Sequence, residues 1–179
     1  MPQVFLVDNG SSMERHWGEV KFLLEVLIWR VLGYDSDGIE LFFTDPKTTV
    51  CVGSNRKQRV ESFLEAMHDA RPTLESAQTE LRPRLKEIMS TYNPRKPRTV
   101  IILTDGEWRG MPYEQDIEEW VTHILSEFAR QESSASPWQW GFEELQPITF
   151  QFIAFGHSKI GKRRMTRLDD FMAQEGGQP

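Results

Sequence analysis

The feature that most constrains this chain is a kind of run that recurs along it: a short, almost unbroken stretch of apolar residues ended by turn chemistry. "QVFLV" (3–7), "RTVIILTDG" (98–106) and "ITFQFIAFG" (148–156) are of this kind. Runs of this length without polar alternation read as strands covered on both faces. Helical patterns lie between them. "HWGEVKFLLEVLIWRVLGY" sets Val20, Leu23, Leu24, Leu27 and Val31 at helical spacing before a stop at Gly33. "RVESFLEAMHDA" (59–70), "ELRPRLKEIMSTY" (80–92) and "YEQDIEEWVTHILSEFAR" (113–130) continue the theme, with Pro83 tolerated in a first turn. "GIELFF" (38–43) reads as a second strand, and "TTVCVG" (48–53), holding Cys51, as a short edge strand reached through the Asp45-Pro46 turn. Strands alternating with helices predict an α/β fold: a mainly parallel sheet with helices on both faces.

At 179 residues the chain is expected to form a single domain over 1–175, with 176–179 as a tail. No apolar run approaches the roughly 20 residues of a membrane span, so neither a membrane nor a membrane partner is expected. A net charge of -6 argues against nucleic acid, which is gripped by clustered Lys and Arg; the stretch Lys159 to Arg167 is the local exception. One cysteine allows no internal disulfide. No secretory leader is visible, so the expected setting is intracellular and cytoplasmic.

Two of the strands end in aspartate, "FLVDNGSSM" at Asp8 and "IILTDG" at Asp105. Ligand crevices of parallel sheets lie beyond the carboxyl ends of the strands, so the two carboxylates are expected to meet there. Unpaired, they would repel; together they ask for a cation or a shared proton. Nearby hydroxyls favour the cation, because hard ions such as Mg²⁺ and Ca²⁺ take oxygen ligands, and Ser12 with a threonine from another loop would extend the shell. The competing reading is that each aspartate caps a turn or helix, a role Asp, Asn and Ser fill well.

These residues resemble the von Willebrand factor type A domain, most closely its fungal members. "VFLVDNGSSM" stands where that family has Asp-x-Ser-x-Ser-Met, "YDSDGIELFF" is similar to its second strand, and "IILTDGE" to its Thr-Asp-Gly; "QTELRPRL" is matched to Gly-Thr-Pro-Leu-x-x-x-Leu, which selects Thr79 over its rival Thr73. The resemblance implies a Rossmann-like three-layer sheet with one antiparallel edge strand, and a metal-ion-dependent adhesion site that captures an acidic side chain of a protein partner without catalysis. By position, Asp8, Ser12, Thr79 and Asp105 would hold Mg²⁺ (or Mn²⁺ or Ca²⁺), with Gly10, Ser11, Trp17, Glu107 and Trp108 around the rim. The departure is Gly10, where the family's first serine ligates; one oxygen fewer from about six weakens the site, and Ser11 points away from it. The family also closes its sheet with a sixth strand and a last helix. Nothing after "RLDDFMAQEGGQP" supplies that strand, so the chain is expected to be a piece of a longer protein.

"GHSKIGKR" (156–163) nearly spells a phosphate loop, with Gly156, Gly161 and Lys162 in place, but Arg163 replaces the hydroxyl that holds Mg²⁺. A solvated Gly-rich turn with a basic flank is the preferred reading, and a nucleotide- or phosphate-binding function the alternative. A metal-independent scaffold is the other. A serine hydrolase elbow is excluded because "NGSSM" lacks its flanking glycines. The four histidines, His16, His68, His123 and His157, are scattered. For "PWQWGF", with Trp138 and Trp140, no role beyond packing or a second contact surface is expected.

Overall fold

The structure, a computed structural model, describes residues 3–31, 39–45, 56–73, 79, 81–93, 96–108, 119–120, 123 and 148–175. The expected edge strand 48–53, most of the helix expected over 113–130, the loop with Trp138 and Trp140, and the tail 176–179 lie outside them.

Four strands form one sheet: β1 (Gln3–Val7), β2 (Ile39–Phe43), β3 (Arg98–Thr104) and β4 (Ile148–Ala154), in the order β2-β1-β3-β4. All pairings among them are parallel, with Val7 beside Phe43 on one side and Leu103 on the other, and Leu103 beside Ile153. The antiparallel strand implied by the family resemblance is therefore absent among the described residues. β1 is joined to β2 on one side and the chain later returns to β3 on the other, so the order reverses between β1 and β3. A crevice opens at such a switch point, beyond the carboxyl ends of the two strands.

Burial on both faces explains the continuous apolar runs. Phe5, Val7, Leu41, Phe43, Ile101 and Leu103 project toward α1 (Trp17–Val31) and α2 (Arg56–Asp69), where Val20, Leu24, Ile28, Val60, Phe63 and Met67 are buried. Val4, Leu6, Val100, Ile102, Ile148 and Phe150 meet Leu81, Leu85 and Ile88 of α3 (Leu81–Ser90), Trp120, and Leu168 of α4 (Lys159–Glu175). Leu23, Leu27 and Val31, also expected on the inner side of α1, are half-buried at the margin of the first cluster. Pro83 sits in the first turn of α3, where its missing N–H costs no helical bond. Glu119, Trp120 and His123 are helical.

Buried arginines finish two strand ends. Arg84 donates from Nε to the Phe43 carbonyl (2.8 Å) and from Nη2 to the Asp45 carbonyl (3.1 Å), tying α3 to the end of β2. Arg98, opening β3, donates from Nη1 to the Ile88 carbonyl at the close of α3 (2.9 Å). A cation at a helix C-terminus complements its dipole.

The solvated turn expected at 156–163 is largely replaced by helix. Only Gly156 to Ser158 are turn; α4 starts at Lys159, with the Gly161 amide directed at Ser158 Oγ (3.4 Å) and the Lys162 amide at the Ser158 carbonyl (2.9 Å). Serine is a favoured N-cap, and it outweighs the helix-weakening glycine two residues into α4.

Candidate carboxylate crevice

Asp8 directly follows β1, and its amide donates to the Leu103 carbonyl at 2.9 Å, which continues the ladder one residue past the strand. Its side chain is fully buried. Oδ1 accepts from Thr79 Oγ1 (2.9 Å) and from the Gly10 amide (3.0 Å), while Oδ2 accepts from Thr104 Oγ1 (2.7 Å). Thr104 Oγ1 also accepts from the Gly106 amide (3.0 Å) and from Trp108 Nε1 (2.8 Å). Those two groups can only donate, so the single hydroxyl proton is committed to Asp8.

Burial, which favours the neutral acid, pushes the Asp8 carboxyl up to about 6; the nearby charge of Asp105 adds to this, and the bonds from Thr104, Gly10 and Thr79 oppose it. Asp105, at the end of β3, is also buried. Its Oδ1 accepts from the Glu107 amide (2.9 Å), but Oδ2 is buried with no hydrogen-bond partner. A buried carboxylate oxygen left without a donor is rare and costs free energy unless a cation or water meets it.

Asp8, Thr79 and Asp105 thus come together, all buried, at the switch point. Thr73 is exposed. Ser12 lies in a 3-10 turn spanning Ser11–His16, half-buried like Ser11, and makes no side-chain hydrogen bond among the described residues. Gly10 is explained by contact. A methyl group there would fall on Thr79 Oγ1, closer than non-bonded atoms approach, and 3.2 Å from Asp8 Oδ1. The Thr79 hydroxyl therefore fills the space a side chain at position 10 would need. The glycine at position 10 and the direct Thr79–Asp8 bond are one feature.

The aromatic rim expected around the site is not at the surface. Trp17 and Trp108 are both buried, the first donating from Nε1 to the Met67 carbonyl at 3.1 Å, the second to Thr104. Both belong to the core and cover element ends. Glu107 does lie at the rim, its Oε1 accepting from Arg15 Nη2 at 3.0 Å. The residues of the phosphate-loop pattern have other roles. Gly156, at a φ of +74°, faces the His16 ring; Gly161 lies against the Asp105 carbonyl and Gly106, so closely that neither glycine accommodates a Cβ. The Lys162 amide is already used in the helix.

Sequence reasoning missed Thr104, Thr44 and Asn9. The Asn9 amide donates to Thr44 Oγ1 (3.1 Å), whose proton goes to Asn9 Oδ1 (2.9 Å); that oxygen also accepts from the Asp45 amide (2.8 Å), and Nδ2 donates to the Ala70 carbonyl (3.3 Å). Asn9 so stitches β1 to the ends of β2 and α2. A signal existed: Thr-Asp closes both strands that flank β1, as Thr44-Asp45 and Thr104-Asp105.

Among the described residues no three His, Cys, Asp or Glu side chains are grouped to hold a metal, so a cation in the crevice would rest on two carboxylates and on hydroxyls. That donor set suits a hard ion. No helix among the described residues is long and apolar enough to cross a membrane. Compared with protein-family models and with curated proteins, the chain matches none.

Proposed function

We propose that this chain is a protein-interaction module of the von Willebrand factor type A kind, which binds Mg²⁺ in the crevice between β1 and β3 and uses it to capture an acidic side chain of a partner protein. The observation that carries this reading is Asp105 Oδ2, a buried carboxylate oxygen with no donor, beside a second buried carboxylate. Asp8 and Asp105 would supply the charge, and Thr79 and Ser12 the hydroxyl oxygens. The ion supplies a fixed positive charge that an incoming carboxylate completes. Thr79, which donates to Asp8, can also offer its lone pairs to an ion, so one side chain serves both conditions.

Binding without catalysis fits these residues: the Thr79 and Thr104 hydroxyls are spent on Asp8 and not on a histidine, and His16 is turned to Arg15 and Gly156. With one cysteine in the chain we place its work inside the cell. A metal-free module, in which Thr79 and Thr104 merely neutralise Asp8, is the second reading, favoured by the full set of hydrogen bonds on that residue.

Calorimetric titration of chelator-treated protein with Mg²⁺, Mn²⁺ and Ca²⁺ separates the two. The expected result is saturable binding of at least one ion, lost in Asp105→Asn. A folded wild-type protein that takes up none of the three leaves the metal-free reading standing.

A further inference from the structure

The opening of α4 breaks a local rule. The N-terminus of a helix carries a partial positive charge, so acids are favoured in the first turn and cations opposed there by about 0.3–1 kcal/mol each. α4 has no acid in that turn; it has Lys159 and Lys162, with Arg163 next. All three are exposed, and Ile160 between them is 48% exposed. Local violations of this kind mark functional surfaces more often than accidents of packing.

The basic turn is also held at the carboxylate crevice. Gly161 is buried against the Asp105 carbonyl, and Arg164 Nη1 donates to the Gly106 carbonyl at 2.8 Å. At about 100° per residue, Lys159 and Arg163 lie on the arc opposite Gly161 and Lys162 on its flank. The lysines therefore face solvent, and they are not there to neutralise the aspartates. Arg15 has a side chain 59% exposed and braced by Glu107 Oε1 and by His16 Nε2, each 3.0 Å away. Its third nitrogen, Nη1, makes no bond among the described residues. In a chain of net charge -6, the opening of α4 is a local basic patch.

We infer that the partner is an acidic peptide segment of a protein with several carboxylates in succession: the first takes the cation site proposed above, on which its placement rests, and the next lie along Lys159 and Lys162 on α4. An anionic membrane or nucleic acid fits less well. The strip spans about two helical turns before Asp169 and Asp170 end it, too short a basic surface for a duplex or a membrane face.

The test uses fluorescein-labelled hexa-aspartate and a matched hexamer with one aspartate among asparagines, followed by anisotropy in Mg²⁺. Hexa-aspartate binds the wild-type protein more tightly than the single-acid peptide, and Lys159→Gln/Lys162→Gln cuts that preference about fivefold, the worth of two exposed ion pairs, without changing Mg²⁺ affinity by calorimetry. The charge-matched control Lys86→Gln/Lys96→Gln, on exposed sites elsewhere, keeps the preference. Equal affinity for the two peptides in a protein that saturates with Mg²⁺ overturns the acidic strip and leaves the cation site standing; failure to saturate overturns the site and the two-point contact together. Tighter retention on phosphatidylserine vesicles than on hexa-aspartate also overturns the inference.

Discussion

At the scale of single residues the crevice is a hydroxyl-lined cage around Asp8, and its consequences are measurable. The ordinary value for an aspartate is 3.8, against about 6 in the fold, so between the two the folded protein holds a proton that the unfolded chain has lost. Raising pH through that window therefore favours unfolding, by a total on the order of 3 kcal/mol. In urea melts from about pH 4 to pH 7 without divalent ions, the stability of wild type relative to Asp8→Asn should fall by that amount; a constant difference would show that Asp8 titrates normally. Thr104→Val removes the group that satisfies Asp8 Oδ2 and the Trp108 indole together, and should cost about 2–4 kcal/mol by the same melts. Gly10→Ser forces a side chain onto Thr79, with an expected loss of about 1–3 kcal/mol. Asp8 and Asp105 were legible because aspartate after an apolar run is unusual. Thr104 and Thr44 were not, since a threonine beside an aspartate looks the same whether its hydroxyl points to solvent or to a polar side chain at the end of the neighbouring strand.

At the scale of elements, the alternation of apolar runs and helical patterns was enough to anticipate the four parallel strands and the helices over 17–31, 56–69 and 81–90 to within a few residues. α4 was not anticipated over any of its length, and its opening was hidden by composition. Two glycines and a basic flank read as a turn, whereas Gly161 is there because α4 must approach the Asp105 carbonyl more closely than any side chain permits. Gly161→Ala should gain helix propensity yet lose about 2 kcal/mol or more overall, because backbone rather than a movable side chain stands in the way. A stabilised variant by thermal melting would show that α4 docks with room to spare. The tryptophans misled for a related reason. Trp17 and Trp108 adjoin the motif in sequence, but their area is better hidden than shown, and each indole N–H finds a buried acceptor.

Considered whole, the molecule sets its candidate crevice where the order of the described strands reverses. Any ion that binds the folded crevice and not the unfolded chain must raise stability by mass action, about 2.7 kcal/mol at a hundred times its Kd. Mg²⁺ should therefore raise Tm for wild type and leave Asp105→Asn unmoved. The shared hydroxyl of Thr104 gives the protein something further, a built-in optical and magnetic tap. Trp108 donates its indole proton to the same oxygen that serves Asp8, and the Arg164 guanidinium lies 5.5 Å from its ring centroid. Whatever changes the charge on Asp8 is felt by that indole through one intervening atom, while Trp17, bonded to the Met67 carbonyl, serves as an undisturbed internal standard. The state of the crevice can thus be followed as the resonance of a single indole N–H, with no label attached.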